Sequence, residues 1–281
     1  MARRRIAEQP VSRLAIWARR FALFSLAATF IAVIVVRSGA LDIVPALSTL
    51  AGALTLAVVA ILLACAAGIV IWTEGVGGIR ESLTALLIGF ALIAYPLYLG
   101  RKAYRLPAIY DVTTDPIDPP RFEAIARLRP RDANPVTYAG LHVAELQHRA
   151  YADIEPDNTT ASPQEAYDAA IKVITKRRWH IVDARPPSVG ARDGLIEAIA
   201  RTPVLSFRDD VVVRVRPTPD GARIDVRSAS RYGRHDLGVN AARVRALISD
   251  VDDLLSTPAP ERRLPSPRPA QAAGKGASVK R

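Results

Sequence analysis

The sequence predicts an α+β protein: three amino-terminal transmembrane helices, then an antiparallel sheet domain packed with two helices. Three observations carry this. Long runs without a charged residue fill much of the first hundred positions. Two alternating apolar and charged segments flank an Asp-Gly turn near the far end. Two apolar stripes at helical spacing bracket the strand-like segments.

Phe21 to Val36 is uncharged and lies between Arg19-Arg20 and Arg37. As a helix it is about 24 Å long, slightly short of a hydrocarbon core of about 30 Å. Snorkelling arginines and an interfacial Trp17 close the gap. Ile43 to Trp72 is thirty residues without a charge, with Pro45 in its first turn and Trp72 as an interfacial anchor. Leu83 to Gly100 is eighteen uncharged residues, with Tyr95 and Tyr98 near its far end and Pro96 as a potential kink. A soluble bundle would keep one wet face on each helix, which a thirty-residue uncharged run does not provide. No A-x-A cleavage site follows the first run, so it is read as a retained anchor and not a cleaved signal.

The formal net charge is +11. Residues 1–20 carry +5, the spans −1, residues 101–256 only +2, and residues 257–281 another +5. A nearly neutral domain between basic ends argues against nucleic acid as a partner. Of the Lys and Arg near span ends, seven lie on the side of the amino terminus and four on the other, which favours a cytoplasmic amino terminus. Three spans then put the carboxy-terminal domain outside the cytoplasm. Cys65 is the only cysteine, which excludes an intrachain disulfide and a Cys-based metal site.

Five segments result: a basic amino terminus (1–20), a three-span region (21–100), an extended Pro-rich linker (101–161), an α+β domain (162–256) and a disordered basic tail (257–281). The linker carries a short helix at Phe122 to Leu128. The domain opens with Ser162-Pro163-Gln164-Glu165, an N-cap, a first-turn proline and a capping-box glutamate, so residues 163–178 form an amphipathic helix. Strands follow at Trp179 to Ala184, Gly194 to Thr202, Asp210 to Arg216 and Arg223 to Ser228. The last two form a hairpin with one apolar and one charged face, which Glu197 and Arg201 join. A final helix runs from Val239 to Leu255, and both helices pack on the apolar face.

The strings "DVTTDPIDPPRF", "FRDDVVVRVRP" and "GARIDVRSASRYGRHDLGVNAARVRALI" resemble the DUF1499 family, over about residues 109–255. The resemblance implies a membrane-anchored bacterial member with an extracytoplasmic domain, and it implies no activity. The family pattern falls on Arg208, Asp209, Asp210, Arg214, Asp225, Arg227, Ser228, Ser230, Arg231, Gly233, Asp236, Gly238 and Asn240, with no role attached.

The densest chemistry lies between a strand end and a helix start. Arg227, Ser228, Ser230, Arg231, Arg234, Asp236 and Asn240 there suit a phosphate, sulfate or carboxylate. The competing reading is structural and carries the greater weight: Asp236 caps the helix, Gly233 and Gly238 permit the turn, and the arginines pair with Asp209, Asp210 and Asp225. Neighbouring strand residues point to opposite faces, so Asp209 and Asp210 do not share one ion. His142, His148, His180 and His235 show no metal spacing. No metal, cofactor or catalytic residue is assigned. The expectation is a multi-pass protein of the bacterial inner membrane, presenting a periplasmic domain that binds an envelope protein or an anionic lipid or glycan. The alternative is an envelope hydrolase, using metal with Asp210, Asp225 and Asp236, or His235 with Ser228 or Ser230.

Overall fold

The computed structural model describes residues 10–188 and 193–256. The expected tail lies outside these residues, as do the first nine residues of the basic amino terminus. The chain begins with α1 (Arg13–Ser38), α2 (Ile43–Glu74) and α3 (Ile79–Arg105), all long and apolar enough to cross a membrane. At 26 residues α1 is about 39 Å long, because the helix continues through Arg20, Arg19 and Arg13. The shortness of the first uncharged run is thereby removed. Gly39 and Gly75 end α1 and α2 in the left-handed conformation. Pro96 lies inside α3, which continues past it to Arg105.

Burial in this bundle is inverted relative to a soluble core. Alanines fill the contacts, with Ala18, Ala22, Ala60, Ala64 and Ala85 packed together. Large apolar side chains such as Phe24, Phe30, Leu62 and Ile69 point outward. Small residues let helices approach closely where lipid, not water, is the solvent. Gly89 shows how close: a Cβ there would stand 2.5 Å from Ile61 Cγ1. Ser25 Oγ donates to Ala53 O across the α1–α2 contact at 2.8 Å.

The domain follows α3 directly. Its elements are β1 (Asp111–Thr113), α4 (Ala124–Leu128), α5 (Leu141–Ala150), β2 (Asp157–Thr159), α6 (Pro163–Lys176), β3 (His180–Arg185), β4 (Gly194–Arg201), β5 (Arg208–Thr218), β6 (Gly221–Ser230) and α7 (Val239–Ser256). The sheet has six antiparallel strands in the order β1-β6-β5-β4-β3, with β2 also on β6. The expected α+β architecture is present, and its expected strands are β3 to β6. The expected capping box opens α6, with Ser162 accepting from Glu165 N–H and Glu165 reaching back to Ser162.

Residues 106–161 hold more regular structure than their Pro-rich composition announces. β1 and β2 lie end to end on the outer edge of β6, at Arg227–Ala229 and at Ala222–Ile224. A three-residue strand is too short to display alternation, so neither was legible. α5 begins at Gly140 without a side-chain cap, so it lacked a start signal too. Gln147 ties α5 to β1, accepting from Thr113 N–H and donating to Thr113 O.

α6 and α7 cover one face of the sheet, over Ile196, Ala198, Val211, Val213, Val215, Ile224 and Val226. The opposite face carries the charges, as expected, but it is buried. Residues 114–138 cross it and pack Phe122, Ile125 and Val136 onto Leu195, Val212 and Ala229. A charged face under such a cover must neutralise itself.

Candidate functional site

β6 alternates, and the alternation divides the expected cluster. Arg223, Asp225, Arg227 and Ala229 stand opposite Arg216, Arg214, Val212 and Asp210, on the charged face. Ser228 and Ser230 stand opposite Val211 and Asp209, on the α7 face. Residues adjacent in sequence therefore belong to two networks, one on each side of the sheet.

On the charged face, Arg227 is 2% exposed. Its Nε and Nη2 donate to the two oxygens of Asp111 at 3.0 and 2.6 Å. Nη1 and Nη2 also donate to Pro120 O and Val136 O. The guanidinium lies against the rings of Phe122 and Tyr138. Asp210 receives Arg129 Nε at 2.6 Å on one oxygen and Arg231 Nε at 2.9 Å on the other. Further along, Asp225 is engaged by Arg214, Arg216 and Arg223, and those arginines also reach Asp115 or Asp118. Burial pushes the Asp115 carboxyl up, but the Asp118 N–H, Arg216, Arg223 and the Ile117 N–H together hold it below the usual range. Glu197 is fully buried and accepts the N–H groups of Glu123, Ala124 and Ile125 at 2.8 to 2.9 Å, at the start of α4.

On the α7 face, Asn240 is the hub. Its Oδ1 accepts from Ser228 Oγ and Arg243, and its Nδ2 donates to Ser230 Oγ and Tyr110 O. Arg243 Nη2 continues to Asp209 Oδ2 at 2.6 Å. Asp236 accepts from Gly238 N–H and Asn240 N–H at 2.9 and 2.8 Å, opening α7. Burial pushes the Asp236 carboxyl up, against those two N–H groups. Leu237, Gly238 and Gly233 have positive φ, and Gly238 is also pressed against Leu106, where a Cβ would come within 2.9 Å of Cδ1.

His235 does not meet either serine. Its Nε2 lies 3.2 and 3.1 Å from Ala103 O and Leu106 O, and its Nδ1 accepts Leu237 N–H. That pattern fixes the proton on Nε2, because two carbonyls need a donor and an N–H needs an acceptor. The ring therefore ties the β6–α7 loop to the end of α3. Asp209 and Asp210 fall on opposite faces, as alternation predicts. Among the described residues no group of three or more His, Cys, Asp and Glu side chains is arranged to hold a metal.

Two arginines of the family pattern and the expected cluster are solvent-exposed: Arg208 at the start of β5 and Arg234 in the β6–α7 loop. Neither has an ion-pair partner among the described residues. Sequence reasoning missed Asp111, Asp115, Asp118, Arg129 and Arg243 as the partners of the cluster. Alternation gave the face of each strand residue, but nothing local showed which distant segment would cover it. Residues 111–251 match the family described as "Protein of unknown function (DUF1499)". No curated protein matches the chain.

Proposed function

The chain belongs to the DUF1499 family, and from that premise we propose a membrane-anchored binding protein of the bacterial envelope, without catalysis of its own. In this reading α1 to α3 cross the inner membrane, the amino terminus is cytoplasmic, and the α+β domain stands in the periplasm. There it engages an envelope protein or an anionic lipid or glycan. The observation that carries the reading is the division of charge. Buried guanidinium groups and carboxylates neutralise one another and hold the domain's shape. Of the arginines in the family pattern and the expected cluster, the two left over, Arg208 and Arg234, are on the surface, where cationic groups meet anions.

Sidedness is the experiment. The full chain is fused after Arg281 to a reporter active only in the periplasm, and separately to one fluorescent only in the cytosol. Periplasmic activity with a dark cytosolic fusion is the expected result. Cytosolic fluorescence would overturn the orientation and return nucleotides and phosphorylated metabolites to consideration.

A further inference from the structure

A cavity of about 310 Å³ lies between the ends of the apolar helices and the domain. Its size is at the small end of ligand clefts, which run from about 300 to 1,000 Å³. One wall is the turn between α1 and α2, with Val36, Leu41 and Ile43. The other is the turn between β4 and β5, with Phe207 and the neighbouring Tyr232. Arg37 joins the two walls: its Nη1 donates to Pro203 O and Val204 O at 2.7 and 2.8 Å. The cavity is therefore built by the docking of the domain on the helix ends.

The charges around it differ from the matched pairs of the domain's interior. Inside the domain arginines are matched with carboxylates. Here Arg201 and Arg208 face the cavity with Asp42 and Asp132, and among the described residues none of the four has an ion-pair partner. Arg201 has only Ser206 Oγ, at 3.3 Å. Asp42 precedes α2 without capping it. A surface that holds both signs open beside each other is complementary to a ligand that carries both signs. The setting supplies the rest of the ligand. Leu41 and Val44 are exposed next to the cavity, on the helix ends, where acyl chains begin if α1 and α2 cross a bilayer.

We infer that this cavity binds the headgroup of phosphatidylethanolamine. The phosphate faces Arg208 and Arg201, and the ammonium faces Asp132 and Asp42. A purely anionic headgroup would leave Asp42 and Asp132 facing no cation of the ligand. A choline headgroup has a cation without N–H donors for the carboxylates. The inference goes beyond the reading of an anionic ligand, since this headgroup carries both signs, and it rests on the helices crossing a membrane.

The test uses the full chain, purified with lipid and reconstituted in nanodiscs of phosphatidylcholine with equal amounts of phosphatidylethanolamine and phosphatidylglycerol. Native mass spectrometry after release counts the retained lipids. Retention of phosphatidylethanolamine above both others is expected. Arg208→Gln and Asp132→Asn should each weaken that retention by about tenfold, the loss of one charge-assisted contact. Arg149→Gln, on the far surface of α5, should leave it unchanged. Both cavity side chains are exposed, and equal melting temperatures would show that the variants fold. Equal retention of all three lipids, or wild-type retention by both cavity variants, overturns the inference. Preferential retention of phosphatidylglycerol, lost in Arg208→Gln, also overturns it but leaves the anionic-ligand reading standing. None of these outcomes depends on which side of the membrane the domain occupies.

Discussion

Arg227 and Asp111 form a buried pair whose value lies in its completeness. The guanidinium meets both carboxylate oxygens, two carbonyls and two ring faces. Removing one partner leaves the other charged without water. Arg227→Ala is expected to cost about 3–5 kcal/mol in the unfolding of the full-length protein. Arg227→Lys should recover little, because an ammonium cannot reproduce the fork. Wild-type stability in Arg227→Ala would mean that the pair is incidental. Glu197 makes the same point with backbone partners. Glu197→Ala strands three N–H groups at the start of α4 and should cost about 3 kcal/mol, measured by denaturant unfolding. Glu197→Gln, which keeps one acceptor, should cost less. The face of Glu197 was legible, since alternation aligns it with Leu195 and Ile199. Its burial was not, because the cover comes from α4, more than seventy positions earlier.

Elements that announce themselves do so through local chemistry. The start of α6 was legible because Ser162, Pro163 and Glu165 satisfy its first N–H groups within four residues. β1 and β2 were illegible because the strand they pair with, β6, lies far along the chain. Gly221 records that pairing. Its φ is +148°, and a Cβ would stand 2.2 Å from Thr159 O of β2. Gly221→Ala should therefore separate β2 from β6, seen as faster amide exchange at Asp157 to Thr159, while β4 and β5 keep their protection. Unchanged exchange at β2 would show that the edge yields without cost. Where β2 meets α7, Asp157 lies beside Asp252. Burial first, and the Asp157 charge and hydrogen bond second, push the Asp252 carboxyl up to about 6. A carboxyl raised above its unfolded value, about 3.9, binds its proton more tightly in the folded state. Its stabilisation is full below about pH 4 and is lost as pH rises through about 6. Asp252→Asn should remove that part of the pH dependence of the melting temperature. An identical slope in the two proteins would sink the assignment.

At the scale of the whole molecule, the question is what holds the domain to the helices. Alternating and periodic patterns in the sequence separate the two parts and give no register between them. The structure supplies two polar ties. Arg37, at the end of α1, donates to the β4–β5 turn. His235, in the β6–α7 loop, donates to carbonyls at the end of α3. Neither tie belongs to the core of the domain, in which no residue of α1 to α3 takes part. Fold and docking should therefore separate. In the variant carrying both Arg37→Gln and His235→Ala, the cooperative unfolding of the domain should stay close to that of wild type. Amide exchange should accelerate at 202–207 and at 106–110, the segments that the two ties hold, and not along β5 or α6. Loss of the domain's own transition would mean that the sheet depends on the helices for stability. Unchanged exchange would mean that apolar contact alone, such as Leu106 against Gly238, fixes the domain on the bundle. The expected result makes the joint a mechanical element in its own right. A ligand seated between helix ends and domain would then be held by parts that can move apart without either unfolding.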